Sequence, residues 1–440
     1  MAPNTRAGLL PPLVVEEDVL PSVAAAVMPL LARPIGSDPR ARDGCRLAAA
    51  EESGEDGPMG TSDRPDRRRS TRPPARRRVL RGAGFLLALG LGQASCTPQC
   101  APPTPAPAPV RYDVRTVVGG LENPWDLAWT PTGTLLVTER SGDINAVGGG
   151  VAHRIGRPAD VVADGEGGMM GLAADPRFGA NGFIYACYLT AGDVRVVRFR
   201  VGAGFSSLND ARPLITGLPR SSTGRHSGCR VRIGPDGLLW VTTGDAAVGT
   251  NPQDPRSLGG KVLRVRTDGS IPPGNMGAPF RPEIYAYGFR NPQGITFRSD
   301  GVAFVVEHGS NRDDEVTPLA PGGNGGWNPV PGYNESVPMT DLSRYPRALR
   351  PVWSSGNPTI APSGGTFVTS SQWGTLARTH VVMAVLKGQQ LRLVNVTNGA
   401  SAPIVTRQGR LRVAVEGPDG NLWVTTDANP GRILLVTPVR

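Results

Sequence analysis

The stretch VRIGPDGLLWVTTGD (231–245) alternates apolar and polar residues, turns on Pro-Asp-Gly and leaves through a β-branched run. A period of two sets one face against a core, and the Gly accepts the positive φ of a tight turn, so the stretch predicts a β-hairpin. VAVEGPDGNLWVTTD (413–427) repeats it almost letter for letter. Looser versions are LAWTPTGTLLVTE (127–139), LAADPRFGANGFIYACY (172–188), ITFRSDGVAFVVEHG (295–309) and GTFVTSSQWGTLARTHVVMAV (365–385). Their marker glycines, Gly133, Gly182, Gly237, Gly301, Gly374 and Gly420, are 49, 55, 64, 73 and 46 residues apart. That spacing is blade-sized, and no helical periodicity separates the units. The expected fold is all-β, a six-bladed β-propeller over 111–440 with long inter-strand loops; a multi-sheet sandwich is the competing architecture. Stretches 246–294 and 310–364, rich in Gly, Pro and Asn, read as loops of the kind on which sites are built.

Composition agrees with this reading. Among 440 residues, 39% are hydrophobic and 19% charged, enough to bury a large core, while 58 Gly and 44 Pro argue against a helical fold. The net charge of +10 is dispersed, except for eight Arg between Arg67 and Arg81, and it lacks the aromatic interleaving of a single-strand binder. A nucleic-acid partner is therefore not expected. The longest apolar run, 82–94, is too short to span a bilayer, which argues against an integral membrane protein.

The first hundred residues stand apart. Residues 1–75 read as disordered or as an over-extended gene start, with Met59 a plausible true start. Residues 76–96, RRRVLRGAGFLLALGLGQASC, have the basic, apolar and small-residue order of an export signal and resemble the twin-arginine kind. Ala94-Ser95-Cys96 could be a lipoprotein cleavage site with Cys96 lipidated, and TPQCAPPTPAPAPV (97–110) reads as a Pro-rich tether. The expected location is periplasmic or extracellular, with at most a lipid anchor at the membrane. The domain beyond holds Cys187 and Cys229, whose pairing the sequence leaves open.

Four histidines, none at zinc-helix spacing, argue against a transition-metal site. His226 precedes the hairpin that Asp245 closes, so strand pairing would return both to one end, where a carboxylate could fix the imidazole tautomer for a general base. A surface histidine and a turn aspartate would look the same. Arg290 and Asn291, extended before a proline, offer a planar fork and a donor-acceptor amide, or simply staple a loop. EHGSNRDDEV (307–316) is an oxygen-rich loop suited to calcium, without EF-hand spacing. Lys387, and Arg410 with Arg412 projecting together, could serve a polyanion or be solvated.

These segments, with GEGGMMGL (165–172), NPQDPRSLGGKVLRV (251–265), YGFRNPQG (287–294), GGNGGWNPV (322–330), APSGGTFV (361–368) and VLKGQ, occur in an order that resembles the soluble quinoprotein glucose/sorbosone dehydrogenases, including the aldose sugar dehydrogenases. The resemblance runs from about residue 115 to the C-terminus. It implies a six-bladed propeller that oxidises an aldose at its C1 hydroxyl to the lactone, with hydride passing to pyrroloquinoline quinone (PQQ) and calcium beside it. It further implies His226 as general base oriented by Asp245, and Arg290 and Asn291 at the quinone edge. Glu166 would lie against the cofactor, Lys387, Arg410 and Arg412 at its polar groups, and the carbonyls of Gly309 and Ser310 on calcium. Ser310 stands where some members have Pro, and Asn357, four residues after Trp353, falls near a position where glucose-specific members place Trp over the cofactor. Loops shorter than those of the dimeric glucose enzymes favour a monomer. The chain has no CxxCH haem motif, so electrons would leave to an external acceptor. A calcium-containing propeller lactonase or carbohydrate-binding module is the alternative.

Overall fold

The computed structural model describes residues 108–440. Residues 1–75, the export segment 76–96 with Cys96, and most of the tether lie outside the described residues. Within them, the hairpin repeat becomes six antiparallel four-stranded sheets. Blades 1 to 5 are contiguous in sequence, at residues 124–156, 169–218, 231–287, 292–354 and 362–406. Blade 6 is composite. Its strands Leu411–Glu416, Leu422–Thr426 and Gly431–Val439 are completed by Arg111–Leu121, which pairs antiparallel with the last strand from Arg111↔Val439 to Leu121↔Gly431. Backbone hydrogen bonds between the two ends of the domain thus close the ring.

The six marker glycines fall in the first hairpin of successive blades. Gly237 and Gly420 show why: both have φ above 70°, and each N–H closes its turn on the carbonyl three residues back at 2.9 Å. The turn aspartate adds a second tie. Asp236 accepts from Leu238 N–H and from the Trp240 indole, as Asp419 does from Asn421 and Trp423.

Packing between blades supplies the core. Val196 and Ile215 of blade 2 meet Val231, Val241 and Leu263 of blade 3, and Val382 and Leu391 of blade 5 meet Ala414, Val424 and Leu434 of blade 6. Each fully buried side chain of this size stabilises by about 1.5–3 kcal/mol. A disulfide joins Cys187 in blade 2 to Cys229 at the entrance of blade 3, three residues after His226.

Two expectations change in detail. Stretches 246–294 and 310–364 are not wholly loops. The first contains the outer strands Lys261–Val265 and Ile284–Tyr287, the second Glu315–Pro318 and Trp353–Ser354. These strands have at most five residues, too few for alternation to declare itself.

The first strand of every blade lies innermost, against its counterparts in the neighbouring blades. Antiparallel pairing then fixes a rule: residues entering a first strand and residues leaving a second strand come out on the same face. Glu166, His226, Arg290, Asn291 and Arg410 enter first strands, Asp245, Gly309, Ser310 and Lys387 leave second strands, and Arg412 lies one residue inside its first strand.

Candidate active site

Blade 3 supplies the His226–Asp245 pair. His226 enters its first strand, and Asp245 leaves its second. The His226 Nδ1 lies 2.8 Å from Asp245 Oδ1, with the two residues 2% and 0% exposed. An ionised carboxylate only accepts, so Nδ1 carries the proton and Nε2 keeps its lone pair. Both protein contacts of the ring go to Nδ1, which leaves Nε2 for a substrate. His226 itself sits at φ 55°, a sparsely populated region for a non-glycine residue and one often found at functional sites. Gly244 makes the approach possible, because a Cβ there would overlap the His226 carbonyl.

Three further residues hold Asp245. Trp327 donates its indole N–H to Oδ2 at 3.0 Å, Tyr333 donates its hydroxyl to Oδ2 at 2.6 Å, and the Ala247 N–H donates to Oδ1 at 2.8 Å. The Tyr333 oxygen also lies 3.1 Å from His226 Nδ1. Burial, and then the Asp245 charge, push the Tyr333 phenol up, so it stays a protonated donor.

Glu166, at the entrance of blade 2, ties blades 3 and 4 together. Its Oε2 accepts from the His226 N–H and from Asn291 Nδ2, both at 3.2 Å, while Asn291 Oδ1 accepts from Gly228 N–H. Arg290 beside it donates Nη1 to the His308 carbonyl at 3.1 Å and Nη2 to Glu335 at 2.9 Å. Its Nε is buried without a partner among the described residues. Behind both, burial pushes the Glu307 carboxyl up to about 8, although it accepts from the N–H groups of Arg290 and Asn291. Glu335 bridges Arg290 and Arg225. Burial raises its carboxyl, but the hydrogen bond and charge of Arg290, with Arg225, bring it below the usual range.

Blade 6 lies across the ring. Arg412 is 4% exposed and donates to Gln293 Oε1 at 3.0 Å. It also meets Asp427 at 3.1 Å, and the half-exposed Arg410 bonds the same carboxylate at 3.0 Å. The two arginines therefore do project together, and neither is a free cation. Arg412 keeps a buried Nε without a partner among the described residues. Lys387 stands exposed just after the second strand of blade 5.

The Gly309–Ser310 loop, leaving the second strand of blade 4, reaches the same face. The Gly309 carbonyl lies 2.6 Å from the His308 ring, the Gly309 N–H donates to Asp314, and Ser310 Oγ donates to the Glu335 carbonyl. Among the described residues no three His, Cys, Asp or Glu side chains are grouped to hold a metal ion.

Trp327, Tyr333 and Glu335 carry no role in the sequence reading. Trp327 lies within a quoted motif, but Tyr333 and Glu335 sit in a loop without alternation, and Tyr333 meets Asp245 across 88 residues.

A sequence model of the Glucose / Sorbosone dehydrogenase family matches residues 121–435. The aldose sugar dehydrogenase YliI of Escherichia coli is 31% identical over 75% of this chain and 94% of its own. Quinoprotein glucose dehydrogenase B of Acinetobacter calcoaceticus is 30% identical over 51% of this chain and 54% of its own. Among solved structures, the PQQ-bound aldose sugar dehydrogenase of Streptomyces coelicolor is 30% identical, with a TM-score of 0.63 over 75% of this chain and 99% of that one. The chain belongs to the glucose/sorbosone dehydrogenase family, a family of oxidoreductases.

Proposed function

We propose that this protein oxidises the C1 hydroxyl of an aldose to the lactone, with PQQ as its resident cofactor and calcium beside it. The observation that carries the reading is the His226–Asp245 pair, its Nε2 open, on the same propeller face as Arg290, Arg412 and Lys387. A tricarboxylate quinone needs separated cations and buried donors, and the unpartnered Nε atoms of Arg290 and Arg412 fit it. Calcium takes six to eight oxygens, so the carbonyls of Gly309 and Ser310 would be only part of its shell, with cofactor oxygens and water completing it. Bound PQQ supplies the carbonyl carbon that accepts hydride, which calcium makes more electrophilic.

The chain's own part is proton handling and placement. His226 Nε2 removes the C1 hydroxyl proton as the C1 hydrogen leaves with its electron pair, and the sugar becomes the lactone. Asp245 holds the ring and offsets the imidazolium charge that forms. Arg290 and Asn291 would bind the quinone edge, Glu166 would fix Asn291 against it, and Lys387, Arg410 and Arg412 would bind the acidic groups. The two electrons then pass to an external acceptor. We also place the mature domain, as a monomer, outside the cytoplasm, behind the export segment 76–96 and the tether 97–110. The Cys187–Cys229 disulfide supports an oxidising compartment.

Reconstitution tests the reading. Apoprotein given PQQ and calcium should reduce a dye with one or more of a panel of aldoses, and absence of both PQQ binding and dye reduction sinks the proposal. Prolonged EDTA should lower turnover and melting temperature together, and calcium should restore both. If both stay unchanged while metal analysis confirms calcium removal, the calcium assignment is wrong.

A further inference from the structure

We propose that the centre of the ring, on the innermost strands, holds a site for one small monovalent anion, a halide or a carboxylate group. Arg230, Arg412 and Trp125 would grip it.

These residues come from blades 3, 6 and 1 and are buried, at 0%, 4% and 1% exposed. Both guanidinium groups stand over the Trp125 ring, Arg230 at 4.0 Å and Arg412 at 5.7 Å from its centroid. The tip of Arg230 lies against Gly364 of blade 5, where a Cβ would come within 2.7 Å of Nη2. The ring centre is therefore shared by two cations and an indole.

Their partners are incomplete. Arg230 donates Nε to the Gln293 carbonyl at 3.0 Å and pairs Nη1 with Asp126 Oδ1 at 2.6 Å. Arg230 Nη2, Arg412 Nε and Trp125 Nε1 have no partner among the described residues. Unmade buried bonds of this kind cost about 1–3 kcal/mol each, more for charged groups. All three atoms are N–H donors that cannot accept, so they require an acceptor.

Charge decides between water and an anion. Arg230, Arg232 and Arg412 face two carboxylates, Asp126 and Asp427, and Asp126 already accepts from both Arg232 nitrogens and from the N–H groups of Leu127 and Leu172. Arg410 shares Asp427 but is half exposed and screened. One buried positive charge is left over. Burial, with Arg232 and Arg412 nearby, pushes Arg230 down to about 10 even though Asp126 opposes the shift. A water could accept from these donors, but it carries no charge. An anion needs only donors and also cancels the residual charge.

Either a free ion or one carboxylate of a bound cofactor has this chemistry, because Arg412 Nε also belongs to the proposed PQQ site. The experiment separates them and needs no turnover, so it stands or falls independently of sugar oxidation. Apoprotein is melted at constant ionic strength while sodium methanesulfonate is replaced by chloride, bromide or formate. A saturable rise in melting temperature specific to the small anions is expected. Trp125→Phe keeps the ring and removes the N–H. It should raise the half-saturating anion concentration by about 10-fold, as the loss of a charge-assisted bond implies. Crystals grown in bromide should show an anomalous peak between Arg230 Nη2, Arg412 Nε and Trp125 Nε1. If chloride weakens PQQ binding in proportion to its concentration, a cofactor carboxylate shares the site. If PQQ and bromide bind together, the anion is a separate structural ion. No ion-specific rise and no bromide peak would overturn the proposal.

Discussion

The hairpins 231–245 and 413–427 begin alike and end differently. Both turn on Pro-Asp-Gly, both tie the turn aspartate to an indole, and both finish in an aspartate on the same face, in blades 3 and 6 on opposite sides of the ring. Asp245 is surrounded by neutral donors, an imidazole, an indole and a phenol, whereas Asp427 is surrounded by two guanidinium groups. One glycine separates the endings, VTTGD against VTTD, and Gly244 is where the His226 backbone comes in close. A carboxylate among neutral donors stays available to balance a proton gained by its neighbour. Burial raises the Asp427 carboxyl, but Arg412 and Arg410 hold it below the usual range, so it anchors cations. The same scaffold position thus holds a carboxylate among neutral donors on one side and a carboxylate between guanidinium groups on the other; in the proposed function the first would serve proton transfer and the second cofactor binding.

The largest effect should come from the blade 3 side. His226→Ala should lower kcat by about 100-fold or more, the lower end for a general base, and leave PQQ affinity unchanged. A titration of PQQ followed by single-turnover sugar oxidation separates the two quantities. Normal turnover in this variant would remove the proton-transfer role.

Blade 6 should show the opposite split. Arg412→Ala should weaken PQQ binding by about 10- to 150-fold, with activity recovered at saturating PQQ, because a buried charge-assisted bond is worth roughly 1.5–3 kcal/mol. Arg410 is half exposed, so Arg410→Ala should cost less than about 10-fold. Equal losses in the two variants would contradict the burial difference between them.

Tyr333 sharpens the blade 3 side. Tyr333→Phe removes a donor from Asp245, the carboxylate that holds the His226 ring. kcat should fall by about 10-fold, as the loss of one hydrogen bond implies, while PQQ affinity and KM stay at parent values. A PQQ titration beside steady-state kinetics checks this, and equal losses in affinity and kcat would reduce Tyr333 to packing.

How much of this could be read beforehand follows from contact range. The six turns were legible because each inner hairpin is local, and a Gly at positive φ marks it. His226, Asp245, Arg290 and Asn291 were legible because motifs flank strand ends, where topology delivers side chains to one face. The closing strand Arg111–Leu121 was not, since its partner lies at the far end of the chain and alternation names no partner. Tyr333, Trp327 and Glu335 were hidden for the same reason, as was the shared carboxylate of Arg410 and Arg412. Sequence periodicity reports which face is buried and is silent on what a buried polar group meets there.

The smallest effect returns to the turns, where the two hairpins are most alike. Asp236 Oδ1 accepts from Leu238 N–H at 3.1 Å and the Trp240 indole at 3.0 Å; Asp419 Oδ1 does so from Asn421 at 3.2 Å and Trp423 at 3.3 Å. Trp240 is 4% exposed and Trp423 is only half-buried, so an indole N–H that loses its partner costs more in blade 3. Asp236→Ala should therefore destabilise by about 1–2 kcal/mol and Asp419→Ala by about 0.5–1 kcal/mol. For a domain this large, the melting temperature should fall by roughly 1–4 °C in the first case and less in the second. Neither turn lies on the face that carries His226 and Arg412, so PQQ affinity and kcat should stay at parent values in both variants. A loss of kcat in Asp236→Ala without one in Asp419→Ala would mean that the blade 3 hairpin transmits strain from its turn to Asp245, and that the two hairpins differ along their whole length rather than at their ends.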